Sequence, residues 1–206
     1  MNRRVLMGAA LMLASFGVKA SAANLVLDGG FELPTTGSHT GSLGDGWIAS
    51  SNTIDIADLT VGWAPGVPHS GNQFAYLDDA NTLNTVSQTL ATVIGQTYLV
   101  QYWVADTDPD SFVSRFGTQI LFTGLAPTNG VSLASDYISQ SYLVTATSTS
   151  TDLTFTGLYT AQGYGTIIDD VTVDVFGATV PEPATIAFTS LGFLGLAAIR
   201  SKRLRR

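Results

Sequence analysis

The sequence predicts an all-β fold, a two-sheet antiparallel sandwich of the jelly-roll kind, and three observations carry that prediction. The stretch between the two ends of the chain is rich in Thr, Ser, Val and Gly, residues that favour extended backbone and the turns that join it. Short runs of alternating apolar residues recur between turn residues, the pattern of strands with one face buried. No run of ten or more residues holds a helical period, and about ten such strands in one domain's length suit two stacked sheets.

The predicted strands are Asn24–Leu27, Trp47–Ala49, Thr53–Leu59, Gln73–Leu77, Thr85–Leu90, Thr97–Ala105, Thr118–Phe122, Ser139–Ala146, Leu153–Leu158 and Thr166–Val175. Between them Gly37–Gly46, Pro65–Gly71, Asp106–Ser114 and Pro127–Asp136 have loop composition. There is neither an internal repeat nor a second domain.

The sandwich is expected over 23–175, with two different ends attached to it. Residues 1–22 read as a secretory signal peptide: Arg3 and Arg4, an apolar run from Val5 to Val18, then the small residues Ala20-Ser21-Ala22 that a signal peptidase requires. After a linker at 176–179, the last segment, 180–206, has three parts. Pro181-Glu182-Pro183 resists helix and stays extended. Ala184 to Ile199 is an uncharged run of 16 residues, about 24 Å as a helix, a short single transmembrane span against roughly 30 Å of hydrocarbon. Five basic residues follow, and they keep that end cytoplasmic and place the domain outside.

Setting the two ends aside changes the charge. The whole chain has a formal net charge of −7, but between Asn24 and Thr179 there are fifteen acids and one base, Arg115, which is −14. Such a surface repels nucleic acid and anionic lipid, and its carboxylates call for a positive offset, for which a divalent cation is the natural candidate outside the cytoplasm. With no cysteine, disulfides, thiolate catalysis and Cys-based zinc sites are excluded.

The last predicted strand carries the most pointed feature. Period two puts Ile167, Asp169, Val171, Val173 and Val175 on one face, so Asp169 is expected to point inward, where a carboxylate needs a cation or several donors. A second acid in apolar surroundings is Glu32, and pairing of the first and last strands would bring it near Asp169. A structural calcium ion held by Glu32 and Asp169 is one reading, and a carboxylate satisfied by turn amides is the other. Asp106-Thr107-Asp108-Pro109-Asp110 fails as an EF-hand loop, because Ser111 and Gly117 stand where glycine and glutamate are required. Among aromatic residues, Trp63 in a loop, Tyr76 and Tyr164 are candidate flat faces for sugar rings, while Trp103 reads as core.

For catalysis the inventory is thin. His39 and His69 both lie in loops, no serine sits in a Gly-x-Ser-x-Gly pattern, and Asp78-Asp79 are strand neighbours that point to opposite faces. The chain is therefore expected not to be an enzyme.

Two resemblances sharpen these expectations. The order Pro181-Glu182-Pro183, apolar run, basic end at the C-terminus resembles the PEP-CTERM sorting signal, which implies processing by an exosortase-type membrane protease. The products would be released to, or attached at, the surface of an exopolysaccharide-producing Gram-negative cell. The set Asn24-Leu25-Val26-Leu27-Asp28-Gly29-Gly30-Phe31-Glu32, Gly46-Trp47, His69-Ser70-Gly71-Asn72-Gln73 and Ile168-Asp169-Asp170-Val171 resembles the galactose-binding-domain-like jelly rolls, carbohydrate-binding modules among them. That likeness implies that Glu32 and Asp169 are calcium ligands. The expected function is an exported, calcium-stabilised surface or matrix protein that binds exopolysaccharide. The alternatives are a structural biofilm protein that binds other proteins, and a small polysaccharide-degrading enzyme.

Overall fold

The computed structural model describes residues 24–60, 66–77, 83–106, 110–158 and 165–177. The expected signal peptide and the tail with its span lie outside these residues. Among the described residues no helix is long and apolar enough to cross a membrane.

The described chain forms ten antiparallel strands: β1 (Gly37–Gly44), β2 (Trp47–Asp58), β3 (Gln73–Leu77), β4 (Leu83–Ala91), β5 (Thr97–Ala105), β6 (Ser111–Phe116), β7 (Gln119–Leu125), β8 (Ile138–Thr145), β9 (Ser150–Leu158) and β10 (Thr166–Val175). A three-residue 3-10 turn at Ala134–Asp136 interrupts the connection to β8. The hydrogen-bonded order is β7-β6-β9-β4-β2-β3-β10-β5-β8, with β1 beside β2. That order runs unbroken because β2 belongs to both layers. Its first half, Trp47 to Ser50, pairs with β4, and its second half, Asp55 to Asp58, pairs with β3. Strands that switch sheets at a bend make the corners of such sandwiches.

Alternation along the strands fills the space between the layers. From β5, Tyr98, Val100, Tyr102 and Val104 point into the main core; from the opposing layer come Val86, Leu90, Phe112, Phe116, Leu153 and Phe155. Tyr102 lies 4.9 Å from Phe155 and 6.1 Å from Phe112, ring centre to ring centre and edge to face in both cases. Its hydroxyl meets Ser114 Oγ at 2.8 Å across the two layers. Burial raises the Tyr102 hydroxyl well above its ordinary pKa, so it remains a neutral hydrogen-bonding group. The other face of β5 carries a second, smaller core of Ala57, Phe74, Tyr76, Ala105, Val131, Tyr137 and Ile167, with Trp103 packed at its edge.

Several sequence expectations are corrected here. Gly37–Gly44, read as loop, is a strand; its glycines at positive φ and its two register irregularities hide any alternation, and backbone pairing to β2 holds it. Ser111–Ser114, read as part of the loop Asp106–Ser114, belongs to β6, with Phe112, Ser114 and Phe116 inward. Asn24–Leu27 is no regular strand, although Leu25 N–H donates to Val173 O and Val171 N–H to Gly29 O, so this segment still runs antiparallel beside β10. The period-two reading of β10 fails at a bulge between Asp169 and Thr172, where Asp170 takes φ 49°. Ile168, Val171 and Val173 all reach the main core, while Ile167 faces the second one. Asp169 is opposite Trp103 in the ladder, and it is fully buried as expected, but away from the Val171–Val173 face.

The approach of the N-terminal segment to β10 leaves no room for a side chain at Gly29, where a Cβ would stand 1.9 Å from Val171 O. Gly29→Ala must push the two backbones apart and is expected to cost about 1–3 kcal/mol or more. A urea midpoint equal to that of the parent protein would contradict this.

Candidate functional site

The site is built at the β10 bulge by a turn and a loop that the chain places on either side of it. The turn is Asp28–Glu32. Asp28 adopts φ 49° and its carboxylate accepts the amides of Glu32 at 2.8 Å and Leu33 at 3.1 Å. Its carbonyl accepts Trp47 Nε1–H at 3.0 Å. Phe31, also at positive φ, drops its ring 5.0 Å from that of Trp47 in the main core. Gln88, buried on β4, holds the segment before the turn: its Oε1 accepts Leu27 N–H at 2.8 Å, and its Nε2 donates to Leu27 O and Asp45 O. Gln88 is a polar residue on the inward face of β4 between Val86 and Leu90, and the segments it clamps come from far away in the chain. These bonds fix the direction in which Glu32 projects.

The loop is 66–72. Val67 N–H donates to Val131 O, and Tyr137 Oη–H donates to Val67 O at 2.9 Å. Its remaining amides turn toward two carboxylates. His69 N–H and Ser70 N–H donate to Asp169 Oδ2 at 2.8 and 3.2 Å, and Asp170 N–H donates to Oδ1 at 2.7 Å. Asn72 N–H and Gln73 N–H donate to Glu32 Oε1 at 2.6 and 3.0 Å, and Gln73 Nε2 returns a bond to Glu32 O. Gly71 takes φ 63°, and a Cβ there would lie 2.1 Å from Glu32 Oε1, so the loop reaches the carboxylate only because this residue is glycine. The loop is thus pinned between Glu32 and Asp169, the two acids that the sequence singled out.

Asp170 faces the rim instead. Its Oδ2 is 2.5 Å from His69 Nδ1 and its Oδ1 accepts Ser70 Oγ–H at 2.7 Å. A carboxylate accepts, so Nδ1 carries the proton and the other ring nitrogen, Nε2, is the acceptor of the neutral imidazole. The His69 ring stacks on Trp103 at 3.9 Å with 18° between planes and meets the edge of Tyr137 at 5.5 Å. His69 and Asp170 are both partly exposed. An imidazole oriented by a carboxylate is half of a general-base arrangement. The other half is missing from this pair, since the Ser70 hydroxyl is turned to Asp170.

Electrostatics mark the site as short of positive charge. Burial and then the neighbouring Asp170 carboxylate push the Asp169 carboxyl up to about 7, against the lowering effect of its three amide donors. Burial, with the charges of Asp169 and Asp170, also raises the Tyr137 hydroxyl well above its usual range, so it serves as a neutral donor. The available oxygen donors, Glu32, Asp169 and Asp170, are the hard ligands that calcium takes, and a dication would offset their repulsion. In donor chemistry and charge the set fits that ion. The amides already satisfy Asp169, however, and among the described residues no three acidic or histidine side chains converge as a metal centre.

Of the residues proposed from sequence as sugar contacts, Trp63 and Tyr164 lie outside the described residues, as do Asp78, Asp79 and Pro181-Glu182-Pro183. Tyr76 is no platform: it is 3% exposed, packs in the second core, and its hydroxyl accepts Gly165 N–H at 2.7 Å. Trp103, read as core, is half-buried at the rim of that cluster, because the β10 bulge and the loop cover only part of it. Of the acidic turn after β5, Asp106 is buried and accepts Thr166 Oγ1–H at 2.7 Å, a bond internal to the fold.

No protein-family model matches this chain, and no curated protein matches it. Solved structures do. A family 61 carbohydrate-binding module, solved in complex with β-1,4-galactotriose, is similar over 74% of this chain and 98% of its own, with 15% identity and a TM-score of 0.53. The CBM22-1 xylan-binding domain of Paenibacillus barcinonensis Xyn10C is similar over 77% of this chain and 97% of its own, with 12% identity and a TM-score of 0.50. At these identities the likeness establishes the jelly-roll fold of carbohydrate-binding modules.

The raised Asp169 carboxyl sets a pH dependence of known sign. Between the ordinary aspartate value near 4 and about 7 the folded state holds a proton that the unfolded chain has lost, so this group's contribution to stability falls as pH rises through that window and is flat above it. The slope is at most about 1.4 kcal/mol per pH unit. In the presence of chelator, Asp169→Asn is expected to be destabilised at pH 4, because one carboxyl oxygen that accepts a backbone amide becomes an NH2 donor, and to close the gap to the parent by pH 8. Denaturant midpoints that stay parallel across pH 4–8 would contradict it.

Proposed function

We propose that the chain is an exported, non-enzymatic β-sandwich that binds extracellular polysaccharide, stabilised by a calcium ion at Glu32 and Asp169. The observation that carries the sugar reading is the partly exposed Trp103 ring, stacked on His69, on the same rim as the Asp170 carboxylate. An indole face that packs against the C–H face of a sugar ring, with polar groups at its margin, is how a shallow site selects carbohydrate. The fold is one that carbohydrate-binding modules use, which supports the same reading. Trp63 and Tyr164, on segments outside the described residues, are further candidate contacts from the sequence.

Glu32 and Asp169 would hold the calcium ion, which supplies positive charge where burial and a second carboxylate disfavour ionisation. Its effect is to clip the Asp28–Glu32 turn and loop 66–72 to β10. The ion would be structural, tightening the rim on which Trp103 and His69 sit.

Delivery follows from the two ends of the sequence. A signal peptidase removes 1–22, the apolar run at 184–199 tethers the chain outside the cytoplasm, and an exosortase-type protease acts at Pro181-Glu182-Pro183. The processed domain then resides at the cell surface or in the surrounding matrix.

Two measurements address the binding reading and the ion separately. In pull-downs with insoluble galactan, xylan and the producing cell's own exopolysaccharide, the parent domain is expected to be retained and Trp103→Ala to lose about tenfold or more, the loss of one stacking contact of about 1.5 kcal/mol. Equal retention of parent and variant would remove Trp103 from the site. Calcium added to chelator-treated protein at pH 7.5 is expected to raise the melting temperature of the parent and not that of Glu32→Gln. An unchanged parent would sink the calcium assignment and leave the sugar reading standing.

A further inference from the structure

The two layers are joined on one side by β2, which belongs to both, and stay unjoined on the other, where β7 and β8 end the hydrogen-bonded order. Among the described residues β1, β7 and β8 therefore each have a free edge. A free edge is a row of unpaired N–H and C=O groups, and soluble proteins blunt it with bulges, glycine, proline or charge. β1 has two register irregularities and three glycines at positive φ. β7 has a bulge against β6, Gly124 at φ 157°, and the exposed Arg115 beside it. β8 has none of these devices. Ile138 to Thr145 pairs with β5 over eight consecutive residues without a shift, and it contains no glycine, proline or charged residue.

The ladder fixes which groups of β8 are free. Just beyond the strand, Ala146 N–H donates to Gln96 O and Ala146 O accepts Gly95 N–H, so Ala146 faces β5. Alternation then gives β5 the backbone groups of Val144, Tyr142, Gln140 and Ile138, and turns those of Thr145, Leu143, Ser141 and Ser139 outward. The Thr145 carbonyl agrees with this direction, since it accepts Gln119 Nε2–H from β7 at 2.7 Å. Ser139, Ser141 and Leu143 remain, and all three residues are exposed.

Charge limits what can lie along this edge. The sandwich carries −14, so a second copy is repelled wherever acids meet acids. Here they do not meet: no residue from Tyr137 to Thr151, and none on β5, is charged. Asp136 precedes the stretch and turns a carboxylate oxygen to Leu133 N–H, and the acids of β10 lie across β5 from β8.

We propose that two copies of this chain join edge to edge through β8, antiparallel about a two-fold axis at Ser141. This register uses every outward group that Gln119 leaves free. Ser141 meets Ser141 of the second copy, and Ser139 meets its Leu143, so three hydrogen-bonded pairs close about six backbone bonds. Leu143, 56% exposed alone, gains a neighbour on each side, and no like charges are opposed. On the inward face Tyr142, partly buried and bonded to Gln140 Oε1, gains Gln140 of the second copy beside it. The five strands of this layer, β2, β3, β10, β5 and β8, become ten in one sheet. Trp103, level with Ser139, then lies on the same face as its copy, about 20 Å away in an untwisted ladder. The pairing itself does not depend on what Trp103 binds.

The absence of cysteine makes the register directly readable. The full chain is purified in detergent micelles, its protein mass is measured by light scattering, and single-cysteine variants are oxidised and run without reductant. The parent is expected to have the mass of two chains. Ser141→Pro removes an outward N–H and no bond of the β5 ladder, so it is expected to have the mass of one chain and the circular dichroism of the parent. In the proposed register the two Ser141 Cα atoms are about 5.5 Å apart, within disulfide reach, and Ser141→Cys is expected to form a covalent dimer. The two Ser139 Cα atoms are about 14 Å apart, and Ser139→Cys is expected to form none. A parent of single-chain mass overturns the proposal, whether the edge is then open or taken by another segment of the same chain. A two-chain mass that survives in folded Ser141→Pro, as from association through the tail or β7, overturns it as well. Ser139→Cys cross-linking as readily as Ser141→Cys does the same, and this comparison stands even where Ser141→Pro fails to fold.

Discussion

The structure depends on one junction, the contact between the Asp28–Glu32 turn and the bulge of β10. Backbone meets backbone there through Val171 N–H and Gly29 O, with no space for a side chain between them. The turn carries Glu32 to one side of loop 66–72, and the bulge carries Asp169 to the other, so three loop amides and that of Gln73 at the start of β3 end on two carboxylates. Glycine at position 71 lets the loop pass that close. The path of the loop, and with it the place of His69 against Trp103, rests on this junction.

The junction is also where the protein accumulates electrostatic cost. Asp169 is buried beside Asp170, and amide donors alone leave it with a raised proton affinity. In a domain with a single base, no arginine or lysine is at hand to relieve it. His69 lends a donor to Asp170, but it sits on the rim and does not reach Asp169 by its side chain.

The antiparallel layers give the domain a direction. Strands β5 and β10 run in opposite senses, and Asp169 and the partly exposed Trp103 indole stand opposite each other in their ladder. Along β10 the two ends are about 30 Å apart at 3.3 Å per residue.

Strand content and the acidic, cysteine-free composition were legible in the sequence, because they follow from alternation and counts; the sequence also singled out Glu32 and Asp169, which the structure places on either side of loop 66–72. Strands β3, β5 and β10 fall where alternation put them. What the sequence left out traces to contacts between distant segments. The strand at Gly37–Gly44 is held by pairing to β2, without alternation of its own. Gln88 is a clamp only because Leu27 and Asp45 arrive beside it. Tyr76 was read as a platform and lies in the second core, whereas Trp103 was read as core and lies at the rim; their exposure depends on which side loop 66–72 covers. By itself the sequence determined the fold class, the charge and the identity of the two central acids, all properties of local pattern and composition. The tertiary structure alone decided which face Asp169 turns to and what surrounds it, since a one-residue bulge reverses the side to which every later residue of a strand points.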